Sequence, residues 1–389
     1  MTGVGRQLSG LVPSWPAAFG ADPAGARLRR IEQSPNYSEG AFNNPLGPPD
    51  RPSLRGLVRA LPVQMRASAL PGRKPERPVP VYGNTLADLA VPPVSGLRLT
   101  WMGHATVLAE IDGRRVLFDP VWSERCSPFD FVGPRRLHPP PVPLESLTGL
   151  DVVVISHDHY DHLDMPTIRT LVDHDVVFAV PLGVGAHLEH WGVPSQRLCE
   201  LDWNESAQVA GLTLTAVPAR HFCGRGPLGR RPTLWASWVV GGDEHRVYHS
   251  GDTGYFPGFT EIGERHGPFD ATMIQVGAYS ELWPANHMTP AEGMRAHADL
   301  SGGTPSGVML PIHWGTFDLA PHPWAEPAEG TVAAARELGA RIATPRPGAP
   351  FEPAADQPED WWWRAAAVAP EGGWPEHPGA VTGTSTILE

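Results

Sequence analysis

The chain has 389 residues, enough to bury a sizeable core, and its 45 prolines and 42 glycines point to many loops and turns. A formal charge of −12 argues against a partner bound by neutralising its phosphates, so no nucleic acid is expected. Three cysteines (Cys126, Cys199, Cys223) cannot build a disulfide framework, residues 1–20 lack the continuous apolar stretch of a signal peptide, and no run reaches bilayer length; the expected location is the cytoplasm.

Residues 1–95 are rich in Pro, Gly and Arg, with short apolar runs such as LRGLVRALPVQM (54–65), and read as an extended arm wrapping the core with one short helix. Alternation begins at Leu97: LRLTW, TVLAEID and RRVLFDP are strand candidates, and Asp112-Gly113 is a hairpin signal. A Pro-rich loop (His138 to Pro143) leads into DVVVIS, an apolar run expected to be a strand buried on both faces. MPTIRTLVD (165–173) reads as a short helix with Pro near its start, VVFAVP as a strand, and VGAHLEHWG as a helix ended by Gly192. From LTLTAVPA (212–219) the pattern is strand-rich again, through TLWASWVVGG, HRVYHSGDT and ATMIQVG. TPAEGMRAHADL (289–300) predicts a helix, SGVMLPIHW a last core strand, and EGTVAAARELGA (329–340) a closing helix. Beyond residue 352 the chain is acidic and Pro-rich, with the run Trp361-Trp362-Trp363 and a last dozen residues expected to be disordered. The expected division is an arm (1–95), a catalytic domain (96–350) and a tail (351–389). Two sets of strands, each followed by helices, predict an α+β fold of two packed sheets with helices outside.

The densest chemical signal is His157-x-His159-x-Asp161-His162, directly after DVVVIS. A loop at a strand's end can turn several side chains toward one point, and imidazole with carboxylate suits zinc and related divalent metals. A plain solvated loop would have to gather three histidines and an aspartate there without cause. His221, Asp252 and His313 stand at comparable strand ends, and a pair of ions sharing one hydroxide needs about this inventory.

His157-Asp158-His159-Tyr160-Asp161-His162 and Gly251-Asp252-Thr253-Gly254 resemble the signature elements of the metallo-β-lactamase superfamily. Trp101-Met102-Gly103-His104-Ala105-Thr106, Phe118-Asp119-Pro120-Val121-Trp122, Ile312-His313-Trp314-Gly315-Thr316-Phe317 and His287 in His287-Met288-Thr289-Pro290 are similar to its N-acylphosphatidylethanolamine-hydrolysing phospholipase D branch and bacterial relatives. The resemblance covers about residues 35–345. It implies an αββα four-layer sandwich with two divalent ions, zinc by preference with iron and manganese as alternatives. It assigns His157, His159 and His221 to one ion, Asp161, His162 and His313 to the other, and Asp252 as a bridge, with Asp161 and Asp252 the catalytic carboxylates. The implied activity is hydrolysis of a small-molecule or lipid phosphodiester by a hydroxide held between two metals, with a peripheral membrane contact and a homodimer both open.

Other readings stand beside these. His104 and Asp119 are expected either to orient ligand imidazoles or merely to satisfy backbone groups, and His287 to bind or protonate substrate. His174, His187, His190, His266 and His297 read as surface or helix residues. Cys223 stands where the branch has Ser, as a soft ligand or, preferably, a small packing residue. Arg225, Arg230 and Arg231 form either a basic patch or a solvated loop. The tryptophan run packs on the core or touches lipid, with packing preferred. A lactone or β-lactam hydrolase on the same metals is the alternative enzyme, and a non-catalytic metal-binding sensor the alternative class.

Overall fold

A computed structural model of the chain describes residues 15–46, 71–225, 232–357, 360–367, 369, 373 and 374. The segment 54–65, Arg230, Arg231 and the last dozen residues lie outside the described residues. The arm opens with helices Trp15–Ala18 and Gly25–Glu32 and a small hairpin, β1 (Tyr37–Ser38) and β2 (Ala41–Phe42), so it carries more regular structure than its weak periodicity predicts. Helix Thr85–Leu89 closes it. The first sheet is built from β3 (Leu97–Gly103), β4 (Thr106–Ile111), β5 (Arg114–Phe118), β6 (Val152–Val154), β7 (Val177–Pro181) and β8 (Leu198–Leu201). The second holds β9 (Ser206–Val209), β10 (Leu212–Val217), β11 (Ser237–Gly241), β12 (Arg246–His249), β13 (Ala271–Gln275) and β14 (Val308–Ile312); β15 (Pro350–Phe351) returns to the first. The sheet orders are β15-β3-β4-β5-β6-β7-β8 and β14-β13-β12-β11-β10-β9.

Alternation explains the layering. Val152 and Val154 of β6 point into the core shared by both sheets, where they join Phe118, Leu214 and Trp238. Val153 and Ile155 point the other way, into a second core with Ile168, Leu171 and Leu188 from helices Met165–Leu171 and Gly185–His190. The run VVV is therefore buried on both faces, as its unbroken apolarity requires. Helices Pro290–Asp299 and Glu326–Leu338 cover the second sheet through Met294, Ala328 and Val332, which completes the four layers of an α+β sandwich.

Register sets where the site falls. β3 is antiparallel to β4 and β4 to β5, while β5 and β6 are parallel. β10 is antiparallel to β11 and β11 to β12, and β12, β13 and β14 are parallel. Within each sheet, the strands followed by the marked residues thus run in one direction: β3, β5 and β6 in the first, β10, β12 and β14 in the second. Their carboxyl ends deliver His104, Asp119, His157, His221, Asp252 and His313 to a common edge.

Candidate metal centre

Backbone conformation at this edge departs from the ordinary. His104 (φ 55), Asp119 (φ 40) and His313 (φ 66) all occupy the left-handed region, which costs a non-glycine residue about 1–3 kcal/mol. Gly251 (φ 53) precedes Asp252 and has no room for a side chain, because a Cβ there would lie 2.6 Å from the Ser156 Cβ. That contact packs the Asp252 turn directly on the His157 loop.

Three overlapping groups of donors form among the described residues. His157, His159, His221 and Asp252 make the first; His104, Asp161, His162 and His313 the second; Asp252, His287 and His313 a third. In the first, His159 Nδ1 is 2.8 Å from His157 Nε2 and 3.3 Å from His221 Nε2, and Asp252 Oδ2 is 3.8 and 3.6 Å from those two Nε2 atoms. In the second, His313 Nε2 is 3.1 Å from His162 Nε2 and 3.3 Å from Asp161 Oδ2. Asp252 reaches this group too, with Oδ2 3.2 Å from His162 Nε2 and Oδ1 3.0 Å from His313 Nε2. An ion bound about 2.0–2.2 Å from each ligand sets its ligands roughly 3–3.6 Å apart, and most of these separations lie close to that range, so the first two groups could each hold a divalent cation.

The tautomers agree with that use. Asp119 Oδ2 accepts from His162 Nδ1 at 2.7 Å and from Ser156 Oγ at 2.6 Å, and Ser156 Oγ lies 2.9 Å from His157 Nδ1. His221 Nδ1 donates to the Asn286 carbonyl at 3.1 Å. Each of these contacts puts a ring proton on Nδ1 and turns Nε2 toward the other donors. Asp119 thus contacts both His162 and Ser156 directly. His104 Nε2 donates to Asp161 Oδ2 at 2.9 Å, and its own backbone N–H donates to Thr316 Oγ1 at 2.7 Å.

Electrostatics follow from burial against charge. Burial lowers the His157 and His221 imidazoles well below their ordinary range despite nearby Asp252. For His162 the carboxylates of Asp252, Asp161 and Asp119 outweigh burial and raise it, and Asp252 with Asp161 holds His313 at about 9. Burial opposes ionisation of Asp161 and Asp252 as well, but the surrounding imidazoles hold both well below the carboxylate range. His287 sits at the rim, its Nδ1 4.0 Å from Asp252 Oδ2 and without a hydrogen-bond partner; burial lowers it to about 4, so it is neutral at pH 7. His159, Asp161 and His287 are the members that keep part of their surface open, and they mark the mouth of the site.

Several contributors carried no readable signal. Asp158, the unassigned residue of the dense motif, is buried: it accepts from Gly224 N at 2.8 Å and Thr233 Oγ1 at 2.8 Å, and lies 3.4 Å from His187 Nε2. Arg225 is no solvated patch residue. It is buried between Tyr160 and Trp191, donating to the carbonyls of Asp158, Leu163 and Ala18 and so tying the metal-site loop to the arm. Cys223 is buried in the main core and belongs to none of these donor groups. His187 and His297 are buried on their helices, whereas His174, His190 and His266 reach the surface. Trp362 and Trp363 pack on the core, with Trp314 stacked between Trp101 and Trp362 at centroid distances of 5.3 Å each.

A two-sheet sandwich that gathers histidines and carboxylates at one edge defines a metal-dependent hydrolase scaffold. The chain belongs to the metallo-β-lactamase superfamily: residues 114–314 match the model of the beta-lactamase superfamily domain. It is 52% identical to an uncharacterized protein of Mycobacterium tuberculosis over 90% of this chain and 92% of that one. It is 37% identical to N-acyl-phosphatidylethanolamine-hydrolyzing phospholipase D 1 of Caenorhabditis elegans over 69% of this chain and 78% of that protein. Among solved structures, a metallo hydrolase from Ignicoccus hospitalis matches with a TM-score of 0.51 at 22% identity, over 66% of this chain and 98% of that one. Membership of this superfamily, with the likeness to the phospholipase D, makes the chain a metal-dependent hydrolase.

Proposed function

We propose that the chain is a phosphodiesterase for a lipid-like phosphodiester, of which N-acylphosphatidylethanolamine is the model. The observation that carries this is the pair of adjacent donor groups sharing Asp252, a layout suited to in-line displacement at phosphorus. The 37% identity to the C. elegans phospholipase D supports the choice of substrate. His157, His159 and His221 would hold one divalent ion, Asp161, His162 and His313 the other, and Asp252 both, with zinc the preferred metal. Two such ions would supply Lewis acidity and would lower the pKa of a bound water. Asp161 and Asp252 are the carboxylates placed to receive the water proton, and His104 fixes the orientation of Asp161. Neutral His287 orients substrate by hydrogen bonding at the mouth instead of serving as a standing acid. The bond broken is that between phosphorus and the ethanolamine oxygen. Water oxygen ends in phosphatidate, and a proton ends on the N-acylethanolamine hydroxyl.

The approach to a lipid surface falls to the loop after β5. An isolated bridge between Arg125 and Arg135 closes this loop, and Arg125 braces its tip by donating to the carbonyls of Asp130 and Gly133. The tip exposes Phe131 (74%) and Val132 (51%), while its root bonds to the centre's edge through Leu137 N and the Thr316 carbonyl. A protruding, braced aromatic suits insertion among lipid headgroups. The test is turnover of liposomal N-acylphosphatidylethanolamine in oxygen-18 water, with both products analysed by mass spectrometry. Label in phosphatidate is expected, and Phe131→Asp should slow turnover in liposomes while sparing a monomeric short-chain analogue. Label only in the acylethanolamine, or rapid opening of a lactone or β-lactam with no lipid turnover, would overturn the reading.

A further inference from the structure

Segment 15–46 of the N-terminal arm grips the surroundings of the candidate centre, and one grip acts on a metal-facing residue through its backbone. Asn44 is buried, and its carboxamide engages both main-chain groups of a single residue. Asn44 Oδ1 accepts from His221 N at 2.9 Å, and Asn44 Nδ2 donates to the His221 carbonyl at 2.7 Å. This is the pairing a neighbouring strand would make, supplied here by one side chain from 177 residues away. His221 lies in the loop after β10 and has no strand partner among the described residues, and Asn44 takes over both of its main-chain groups. The His221 ring is fixed in turn by the Asn286 carbonyl, which leaves Nε2 toward His159 and Asp252. Two other grips reach the neighbouring loop: Arg225 Nε donates to the Ala18 carbonyl at 3.0 Å, and Ala21 N donates to His187 Nδ1 at 3.0 Å, whose Nε2 faces Asp158.

We infer that Asn44 is a positioning residue of the metal centre, and that the arm segment 15–46 therefore belongs to the functional unit although it lies outside the segment matched by the family model. The inference rests on the proposed use of His221 as a ligand. Removing the carboxamide frees the His221 backbone, lets its imidazole depart from the group formed with His157, His159 and Asp252, and leaves the group around His162 and His313 intact. Losses of an orienting partner typically weaken metal affinity about 10–100-fold.

The experiment compares wild type, His221→Ala, Asn44→Ala and Asn44→Asp as full-length chains. Zinc affinity and stoichiometry are measured by competition with a chromogenic chelator, well below each variant's metal-free melting temperature. Cobalt-substituted samples give an absorption signature for each bound ion. Asn44→Ala should weaken, about tenfold or more, the same ion that His221→Ala removes, and should leave the second ion unchanged. Asn44→Asp keeps side-chain size and the acceptor for His221 N but sets an oxygen against the His221 carbonyl in place of the donor; a loss at the same ion is expected. If His221→Ala removes an ion and neither Asn44 variant weakens it, the role of Asn44 is refuted while the ligand set stands. If His221→Ala removes no ion, the ligand reading fails and this inference falls with it. A drop in melting temperature with unchanged metal affinity would reduce Asn44 to a packing residue.

Discussion

Asp252 touches both donor groups, with one oxygen 3.2–3.8 Å from His162, His157 and His221 and the other 3.0 Å from His313. A carboxylate in that position offsets the mutual repulsion of two cations, whereas Asp161 contacts only His104, His162 and His313. Asp252→Asn is therefore expected to deplete metal from both groups, and Asp161→Asn mainly from one. Elemental analysis of each purified variant decides the point, and a variant Asp161→Asn that loses both ions while Asp252→Asn loses neither would reverse the roles. The strain at His104, Asp119 and His313 belongs to the same scale. Three side chains held in left-handed backbone persist only because their surroundings over-determine them, which fits a centre whose geometry is set before anything binds.

At the scale of the element, helix Pro290–Asp299 begins with a full capping box: Glu292 N donates to Thr289 Oγ1 and Thr289 N to Glu292 Oε2, with Pro290 in the first turn. The cap fixes the chain just before it, where His287 stands. Further along, His297 is buried against β13 with its Nδ1 2.9 Å from Thr272 Oγ1 and no partner for Nε2. Burial alone lowers it to about 4. Its unfolded value is near 6.5, so the stability it permits is complete above pH 6.5 and is lost as pH falls toward 4, at about 1.4 kcal/mol per pH unit. His297→Gln should flatten that part of the acid limb relative to wild type in urea titrations at pH 7.5, 5.5 and 4.5; parallel limbs would show that His297 does not contribute. Much of this level could be read in advance. Periodicity gave β3 to β7, the Asp112-Gly113 turn and the helices from residues 165, 184, 289 and 329. It missed β8, β9 and helix Gly258–His266, where LCEL, SAQV and GFTEIGERH mix polar with apolar residues because one face is solvated. It set the domain boundary at residue 350 while preferring the tryptophan run packed on the core, where Trp362 and Trp363 are indeed buried. The residues of the donor groups were legible because imidazoles and carboxylates cluster at strand ends. Asn44, Ser156 and Arg225 were not, since hydrogen bonds between distant segments leave no local pattern.

At the scale of the whole molecule, the first sheet is complete by Leu201 except for β15, the second starts at Ser206, and the chain passes between them in the turn 202–205. The candidate ligands divide along the same line. His157, His159, Asp161 and His162 follow the first sheet, and His221, Asp252 and His313 the second. Ions bound there join two halves that the apolar layer already holds face to face. Chelation should lower the melting temperature, because a ligand present at a hundred times its dissociation constant stabilises the folded state by about 2.7 kcal/mol. An unchanged melting curve in chelator would deny the ions any part in holding the fold. The same arrangement makes the protein a natural split reporter. Two polypeptides parted within 202–205, each labelled with half of a luminescent enzyme, would pair through the apolar layer, and bound metal would tighten that pairing.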